Sequence, residues 1–223
     1  MYIIIAGAGL IGRGLLARLM EGRHDIVVID QNRDICESVY ARFGAVTVCG
    51  NATDIFVLED AGIKKCDAVV ATMHNDADNL AFSILAHSYG VKQILVRRRE
   101  PRYESAYRSA GATHITRTTS LIIDQFIVAL EAPEVRKVIT LAGDVDISFV
   151  SIPEAGACAG LTVQEIASKQ GFPSECLIVG IYKEASDKFV VPRGSAQVDA
   201  GDRLFLSATP ENTNKAAVVL TDM

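Results

Sequence analysis

The sequence predicts an α/β fold in which a doubly wound parallel sheet is followed by a small α+β domain at the C-terminus. Three observations support this prediction. Short runs rich in Val, Ile and Thr alternate with helix-length segments up to about residue 117, a glycine-rich turn follows the first run, and the rhythm changes after about residue 140. Repeated β-α-β units of this kind build open parallel sheets with helices on both faces.

Six runs in the first part of the chain have the length and composition of buried parallel strands. They are residues 2–6, 25–30, 45–50, 67–72, 92–97 and 113–117. Between them, segment 75–90 places Leu80, Ile84 and Leu85 on one helical face and stops at Gly90. A later segment, 120–131, predicts a largely apolar helix capped by Ser120, which needs cover from the next domain or from a second subunit.

The second part of the chain reads as a smaller, β-rich module. Strands are predicted at 146–153, 176–182 and 202–208, and a short helix at 162–171 begins with Thr162 and Glu165 in capping-box spacing. We therefore expect a nucleotide-binding domain over 1–132, a linker over 133–145 and a C-terminal domain over 146–223.

Composition narrows the classes of function. The formal net charge is −5, so there is no basic excess of the kind that indicates a nucleic-acid partner. The five cysteines are scattered without a C-x-x-C pair, which is typical of reduced thiols in a cytosolic protein. No uninterrupted apolar stretch reaches the ~20 residues that span a bilayer. We expect a cytoplasmic protein with no direct membrane insertion and no metal site.

The first strand leads into Gly7, Gly9 and Gly12, the pattern G-x-G-x-x-G, and Asp30 ends the next strand. In a Rossmann-like fold, Gly7 allows the tight turn, Gly9 admits a pyrophosphate and Gly12 permits close packing. The helix that begins near Leu10 and Ile11 offers free amides and a partial positive charge to phosphates. Asp30 would accept hydrogen bonds from a ribose diol and disfavour NADP, although nearby Arg33 weakens that exclusion.

Further candidates lie at the other strand ends, where ligands bind in such folds. They are Gln31, Asn51, Ala52, Thr53, Thr72, Met73, His74 and Arg97. The Thr72 hydroxyl suits a ribose or phosphate, and His74 is either a proton carrier or an exposed loop residue. Asn51 and Asp54 are either ligand contacts or turn and helix-cap residues. Arg13 either reaches a terminal phosphate or faces solvent.

Two functional hypotheses follow from this site. A dehydrogenase needs proton-transfer groups beside the nicotinamide. Of the four histidines only His74 falls at a ligand-facing strand end, and no acid/base partner accompanies it. We therefore predict no catalytic residues and favour a switch, in which nucleotide affinity differs between two arrangements. An NAD-dependent oxidoreductase of Rossmann type is the alternative.

Several segments, taken in order, resemble the RCK family, regulators of potassium conductance, and its TrkA/KtrA-like members. In the first domain they are AGAGLIG (6–12), VVID (27–30), GNATD (50–54), VVATMHNDADNL (69–80), RRREPRY (97–103) and GATHI (111–115). In the second domain, segments 150–166 and 191–211 are similar to the family's C-terminal domain, including the hallmark Gly201-Asp202-Arg203-Leu204.

The resemblance implies TrkA-N and TrkA-C domains that form a cytosolic regulatory, or gating, subunit of a membrane potassium transporter or channel. It also implies NAD(H), ATP or ADP as the ligand, self-association into dimers and rings, and in some members a second messenger such as cyclic di-AMP. Two departures stand out. Some ATP-responding members carry an arginine where this chain has Leu10 or Ile11, and segment 72–79 is about one residue longer than the family pattern.

Overall fold

A computed structural model describes residues 1–131, 134–141 and 144–222 of the chain. The chain divides into two units, Met1–Ile122 and Ile123–Met223. Within the described ranges, no helix has the length and apolar character needed to cross a bilayer.

The first unit contains a parallel sheet of six strands in the order β3-β2-β1-β4-β5-β6. The strands are β1 (Tyr2–Ala6), β2 (Asp25–Asp30), β3 (Val46–Cys49), β4 (Ala68–Ala71), β5 (Gln93–Arg98) and β6 (His114–Arg117). The predicted doubly wound sheet is confirmed, and each strand end lies within one residue of the expected position.

The helices that connect these strands are α1 (Leu10–Leu19), α2 (Arg33–Phe43), α3 (Ile55–Asp60), α4 (Asp76–Ser88) and α5 (Glu104–Ser109). Two 3₁₀ turns, Ile63–Lys65 and Pro101–Tyr103, accompany them. Helix α6 (Thr118–Glu131) follows β6 and carries the boundary between the two units. It begins two residues earlier than expected, so Ser120 lies inside its first turn rather than at its cap.

Alternate residues of β1 point into two different cores, as a sheet covered on both faces requires. Ile4 and Ala6 pack in a cluster with buried residues of α3, α4 and α5, which include Leu58, Phe82 and Tyr107. Ile3 and Ile5 pack in a second cluster with buried residues of α1 and α2, namely Leu16 and Val39. The two clusters fix the sheet edge at which the strand ends meet the loops.

The second unit contains an antiparallel sheet of five strands in the order β10-β9-β11-β8-β7. Its strands are β7 (Val135–Thr140), β8 (Asp146–Ser151), β9 (Leu177–Lys183), β10 (Lys188–Val190) and β11 (Arg203–Ala208). Helices α7 (Val163–Ala167) and α8 (Pro210–Thr221) complete it, with a 3₁₀ turn at Glu184–Ser186. The α+β class is confirmed, and the Thr162–Glu165 capping box forms as expected.

One strand lies where the sequence predicts a linker. Residues 135–140 of the expected linker 133–145 form β7, which pairs with β8, while residues 133, 142 and 143 fall outside the described ranges. Charged Arg136 and Lys137 interrupt the apolar pattern there, so the sequence gives no strand signal. The structure accommodates Lys137 through an ion pair of 2.9 Å with Asp146, and both side chains are largely buried.

The hallmark Asp202 has a structural partner in the second unit. Its carboxylate is buried, accepts a hydrogen bond of 2.6 Å from Lys183 Nζ and another of 2.8 Å from the Asp199 amide. Gly201 precedes it with φ of +81°, a backbone conformation that favours glycine. This Gly-Asp pair therefore shapes the turn that leads into β11.

Candidate nucleotide-binding site

A cavity of about 590 Å³ opens at the carboxyl ends of the strands in the first unit. The strand order reverses there between β1 and β4, the point at which such sheets bind ligands. Eleven of the predicted binding residues line it: Gly7, Gly9, Leu10, Ile11, Asp30, Gln31, Ala52, Thr72, Met73, His74 and Arg97. The lining does not include Gly12, Arg33, Asn51 or Thr53.

Gly7 makes a turn that other residues would strain. Its φ is +93°, and a Cβ at this position would lie 2.9 Å from the backbone nitrogen of Met73. The Gly7 amide donates a hydrogen bond of 2.8 Å to the carbonyl oxygen of Ile29. The turn therefore lies against both neighbouring strand ends, as its place in the glycine motif predicts.

Gly12 acts from outside the cavity. A Cβ there would lie only 2.0 Å from the Gly7 carbonyl oxygen and 2.9 Å from Thr72 Oγ1. The absence of a side chain lets α1 approach the turn closely, which is the packing role that the motif assigns to the third glycine.

The N-terminus of α1 presents free backbone donors to the cavity. Gly9 occupies the cap position and offers no side chain, whereas Asn32, Asp54 and Asn75 cap α2, α3 and α4. The first amides of a helix lack intrahelical partners and carry a partial positive charge. An anionic group bound beside Gly9, Leu10 and Ile11 would satisfy them.

The Thr72 hydroxyl is directed at the glycine turn. The side chain is buried, and Oγ1 lies 2.8 Å from the Gly7 carbonyl oxygen and 3.1 Å from that of Ala6. The hydroxyl thus donates its proton within the protein, where the sequence suggested a direct ribose or phosphate contact. Thr72 fixes the turn at the floor of the cavity.

Both carboxylate oxygens of Asp30 are held by the backbone. Oδ2 accepts a hydrogen bond of 2.7 Å from the Ala8 amide, and Oδ1 accepts one of 2.9 Å from the Asn32 amide. Each oxygen keeps a further lone-pair site, since an ionised carboxylate has about four. The carboxylate is therefore orientated at the cavity rim with acceptor capacity left for a diol.

An apolar wall lies beside Asp30, and sequence reasoning missed most of it. Ile29, Ile35 and Gly50 line the cavity together with the predicted Ala52. Asn32 and Asp78 complete the unpredicted lining. The signal for Ile35 was its place in the first turn of the helix that Asn32 caps. Such a wall suits the flat face of a nucleobase.

The segment Gly50–Asp54 is a turn followed by a helix cap. Asn51 Oδ1 lies 2.9 Å from both the amide and the hydroxyl of Thr53, and Asp54 Oδ1 accepts a hydrogen bond of 2.8 Å from the Phe56 amide. The structure thus gives Asn51 and Asp54 the turn and cap roles that the sequence left open. Arg33 is exposed and lies 3.4 Å from Glu37, outside the lining.

Arg97 brings a cation to the cavity. Its Nε is buried, and in the part of the chain that the structure describes it has no hydrogen-bond partner. The same side chain lines the cavity. A guanidinium of this kind is suited to an anionic ligand such as a phosphate.

His74 is engaged by an arginine that the sequence did not single out. Arg99 Nη1 lies 3.1 Å from His74 Nε2 and donates a second hydrogen bond of 3.0 Å to the His74 carbonyl oxygen. Arginine has donors only, so the ring nitrogen accepts. The imidazole is thus occupied by a structural contact, and among the described residues no carboxylate is hydrogen-bonded to it in a way that would support proton transfer.

Two buried polar residues of α4 position the loop that follows β4. Asn79 accepts a hydrogen bond of 3.0 Å from the Met73 amide and donates one of 3.1 Å to its carbonyl oxygen. The Asp76 carboxylate accepts hydrogen bonds from the Glu100 amide at 2.8 Å and from the Tyr107 hydroxyl at 2.9 Å. Burial, reinforced by Asp76, raises the pKa of Tyr107 far above its usual range.

The cavity combines donors for an anion, an acceptor for a diol and an apolar wall. Within the described residues, no group of three or more His, Cys, Asp or Glu side chains is arranged to hold a metal ion. The arrangement is therefore chemically suited to bind a nucleotide.

The two units match two known domain families. The TrkA-N domain family matches residues 3–118, and the TrkA-C domain family matches residues 147–220. The chain belongs to the TrkA family, with a TrkA-N domain followed by a TrkA-C domain. A Trk system potassium uptake protein TrkA homolog from Methanothermobacter thermautotrophicus is 28% identical over 220 residues, which cover 97% of each chain.

Solved structures also resemble the chain. The GsuK channel bound to NAD has a TM-score of 0.66 at 22% identity, covering 98% of this chain and 39% of that one, which shows the shared fold. GsuK bound to ADP has a TM-score of 0.52 at 25% identity and covers 60% of this chain and 35% of that one. The chain spans less than half of either GsuK chain.

Proposed function

We propose that this protein is a nucleotide-sensing regulatory subunit of a membrane potassium transporter or channel, with NAD(H) or an adenine nucleotide as its ligand. The observation that carries the proposal is the pairing, across one glycine turn, of the free α1 N-terminus with the backbone-held Asp30 carboxylate. The TrkA homologue is a potassium uptake protein, and the related GsuK structures hold NAD and ADP.

The ligand's parts are assigned to separate regions of the cavity. Phosphates bind at Gly7, Gly9, Leu10 and Ile11, with Arg97 as the side-chain cation. The ribose diol binds Asp30 beside Gln31, and the base lies against the apolar wall. Thr72, Met73 and His74 support the opposite side. Gly12, Asn51 and Thr53 shape the site without touching the ligand, and Arg33 lies outside it.

A regulatory role fits this site better than the alternative, an NAD-dependent oxidoreductase. His74 is the one imidazole among the described lining residues, and Arg99 occupies its Nε2. The purified protein should show no steady NADH oxidation with small carbonyl substrates. Robust turnover would establish the oxidoreductase instead.

The protein acts at the cytoplasmic face of the membrane through its potassium-translocating partner, and it self-associates as a dimer or larger ring. The apolar face of α6 supports self-association, since Leu121, Ile122, Phe126 and Leu130 are between 51% and 83% exposed. The double change Leu121→Glu/Ile122→Glu should lower the mass measured by light scattering. Val218→Glu, at an exposed position of α8, is the matched control. A double variant that stays dimeric or larger would remove α6 from the interface.

The identity of the bound nucleotide and the role of Asp30 can be tested directly. Mass spectrometry of gently purified protein should identify a bound adenine nucleotide or NAD(H), and calorimetry should show tighter binding of NADH than of NADPH. Asp30→Ala should weaken binding by ten-fold or more, because a hydrogen bond to a charged group contributes ~1.5–3 kcal/mol. Arg33→Ala, outside the lining, should leave the affinity unchanged. Potassium flux through the co-expressed membrane partner should then respond to the nucleotide in the parent protein and lose that response in Asp30→Ala.

A further inference from the structure

Two thiols lie directly beneath the rim that carries Asp30. Cys36, in the first turn of α2, donates through Sγ to the Asp30 carbonyl oxygen at 3.4 Å. Cys49, the last residue of β3, donates through Sγ to the Gln31 carbonyl oxygen at 3.8 Å. The two sulfurs thus bond adjacent backbone carbonyls, which places them side by side beneath the rim.

The strand register explains this proximity. Cys49 is the direct partner of Asp30 in the parallel pairing of β2 with β3. Cys36 follows the cavity-lining Ile35, and Cys49 precedes the cavity-lining Gly50. A bond between the sulfurs would therefore tie the start of α2 to the end of β3, on either side of the segment from Asp30 to Asn32.

The two cysteines differ in access, as an attacking and a resolving thiol do. Cys49 is exposed on β3, the edge strand of the sheet, whereas Cys36 is 5% exposed. Burial, with a smaller contribution from the neighbouring Cys49, raises the pKa of Cys36 to about 11. Cys49 is therefore the thiol that an oxidant reaches first.

We propose that Cys36 and Cys49 form a redox-sensitive dithiol, which a peroxide converts to a disulfide that weakens nucleotide binding at the adjoining rim. The effect on binding rests on the proposed function, while formation of the disulfide does not. The Cys49 thiolate attacks one peroxide oxygen, the O–O bond breaks, and a sulfenic acid and one water result. The Cys36 sulfur then attacks the Cys49 sulfur, the S–O bond breaks, and the second water leaves. The two thiols lose two electrons and the peroxide gains them.

The disulfide changes the rim because its geometry differs from that of the thiol pair. The two sulfurs, each now hydrogen-bonded to a backbone carbonyl, must approach to about 2.05 Å when the disulfide forms. Both thiol protons are lost, so the carbonyl groups of Asp30 and Gln31 lose their sulfur donors. Loss of one or two weak hydrogen bonds from a binding rim corresponds to an affinity about three- to ten-fold lower.

The full-length protein is compared in three states: reduced, treated with hydrogen peroxide, and treated then restored with dithiothreitol. After thiol alkylation and trypsin digestion, mass spectrometry should find the peptides that contain Cys36 and Cys49 joined and two hydrogens lighter than their sum. Calorimetry with NADH and with ADP should show the affinity loss in the oxidised protein and its recovery on reduction. Cys49→Ser should abolish both effects, and Cys66→Ser, which keeps the pair, should show both.

Four results would overturn the proposal: no joined peptide in the parent protein, a joined peptide with unchanged affinity, failure of dithiothreitol to restore binding, or an equal affinity loss in Cys49→Ser. Because Cys49 is exposed, that variant keeps the fold even where Cys36→Ser does not. If the reduced protein binds no nucleotide, the proposed function fails. The joined peptide alone then decides whether the dithiol exists.

Discussion

The Thr72 hydroxyl donates a hydrogen bond of 2.8 Å to the Gly7 carbonyl oxygen, so the end of β4 holds the turn that follows β1. The two strands are neighbours at the point where the strand order reverses. The cavity floor is thus held by a side chain whose hydroxyl proton is used within the protein. Because this hydrogen bond supports the turn that lines the cavity, the stability of the protein and its affinity for nucleotide should change together.

Thr72→Val tests that coupling. The substitution keeps the shape but leaves the Gly7 carbonyl oxygen without this donor, so the free energy of unfolding should fall by about 1–2 kcal/mol. Nucleotide affinity should fall with it, as measured by urea unfolding and calorimetry on the same samples. Thr72→Ser keeps the hydroxyl and should restore most of both. Unchanged stability in Thr72→Val would show that the hydrogen bond does not support the turn.

Two glycines of α1 offer a matched comparison. In Gly12→Ala the new Cβ would lie 2.0 Å from the Gly7 carbonyl oxygen, so the turn must shift and nucleotide affinity should be lost. Gly14 has no heavy atom within 4 Å of an added Cβ, so Gly14→Ala should bind normally. It should also raise the free energy of unfolding by up to about 1 kcal/mol, the usual helix preference of alanine over glycine. Equal binding by the two variants would contradict the packing role of Gly12.

The sequence predicts the parallel sheet, the glycine turn and Asp30 because these features are local and repeat along the chain. Contacts made across the fold were not predictable from it. Thr72 reads as a ligand contact until the Gly7 carbonyl oxygen is placed beside it. Asp76 and Asn79 fall in the predicted helix 75–90, and only the fold shows that both are buried.

The same limit applies to the strand missed at 135–140. Lys137 breaks the apolar run, and only the pairing of β7 with β8 brings its charge to Asp146. Local patterns along the chain predicted the helices and strands. Partnerships between distant residues required the structure.

Glu104 provides a prediction in pH. Its carboxylate contacts Arg98, Arg108 and Arg117 at 2.5, 2.8 and 3.0 Å. The hydrogen bond from Arg117, with help from Arg108, holds the pKa of Glu104 below its usual value. A carboxyl whose folded pKa is lowered stabilises the fold above its unfolded pKa, and this stabilisation is lost as the pH falls through the folded pKa.

Glu104→Gln should therefore lower the free energy of unfolding at pH 7 by about 1.5–3 kcal/mol, the range for hydrogen bonds to charged groups. The difference from the parent protein should shrink as the pH falls below about 4.3, the unperturbed value for glutamate. Glu37→Gln removes an exposed ion pair with Arg33 and should cost less than about 0.5 kcal/mol. A pH-independent difference at Glu104 would show that its effect is one of packing rather than charge.

A substitution at Arg97 should change nucleotide affinity with little change in the stability of the protein. Its buried Nε has no partner among the described residues, so Arg97→Met breaks no hydrogen bond of that atom, and stability should change little. A phosphate that the guanidinium contacts would lose a charge-assisted hydrogen bond of about 1.5–3 kcal/mol, so ADP and NADH should bind ten-fold or more weakly. Adenosine, which has no phosphate, should bind the variant and the parent protein equally.

Arg102→Met, which removes an exposed side chain paired with Glu100, is the control and should bind ADP normally. Calorimetry at two salt concentrations completes the test, because an ionic contact weakens as salt rises. If adenosine and ADP lose affinity equally, Arg97 contacts the nucleoside, and the phosphates depend on the α1 amides alone.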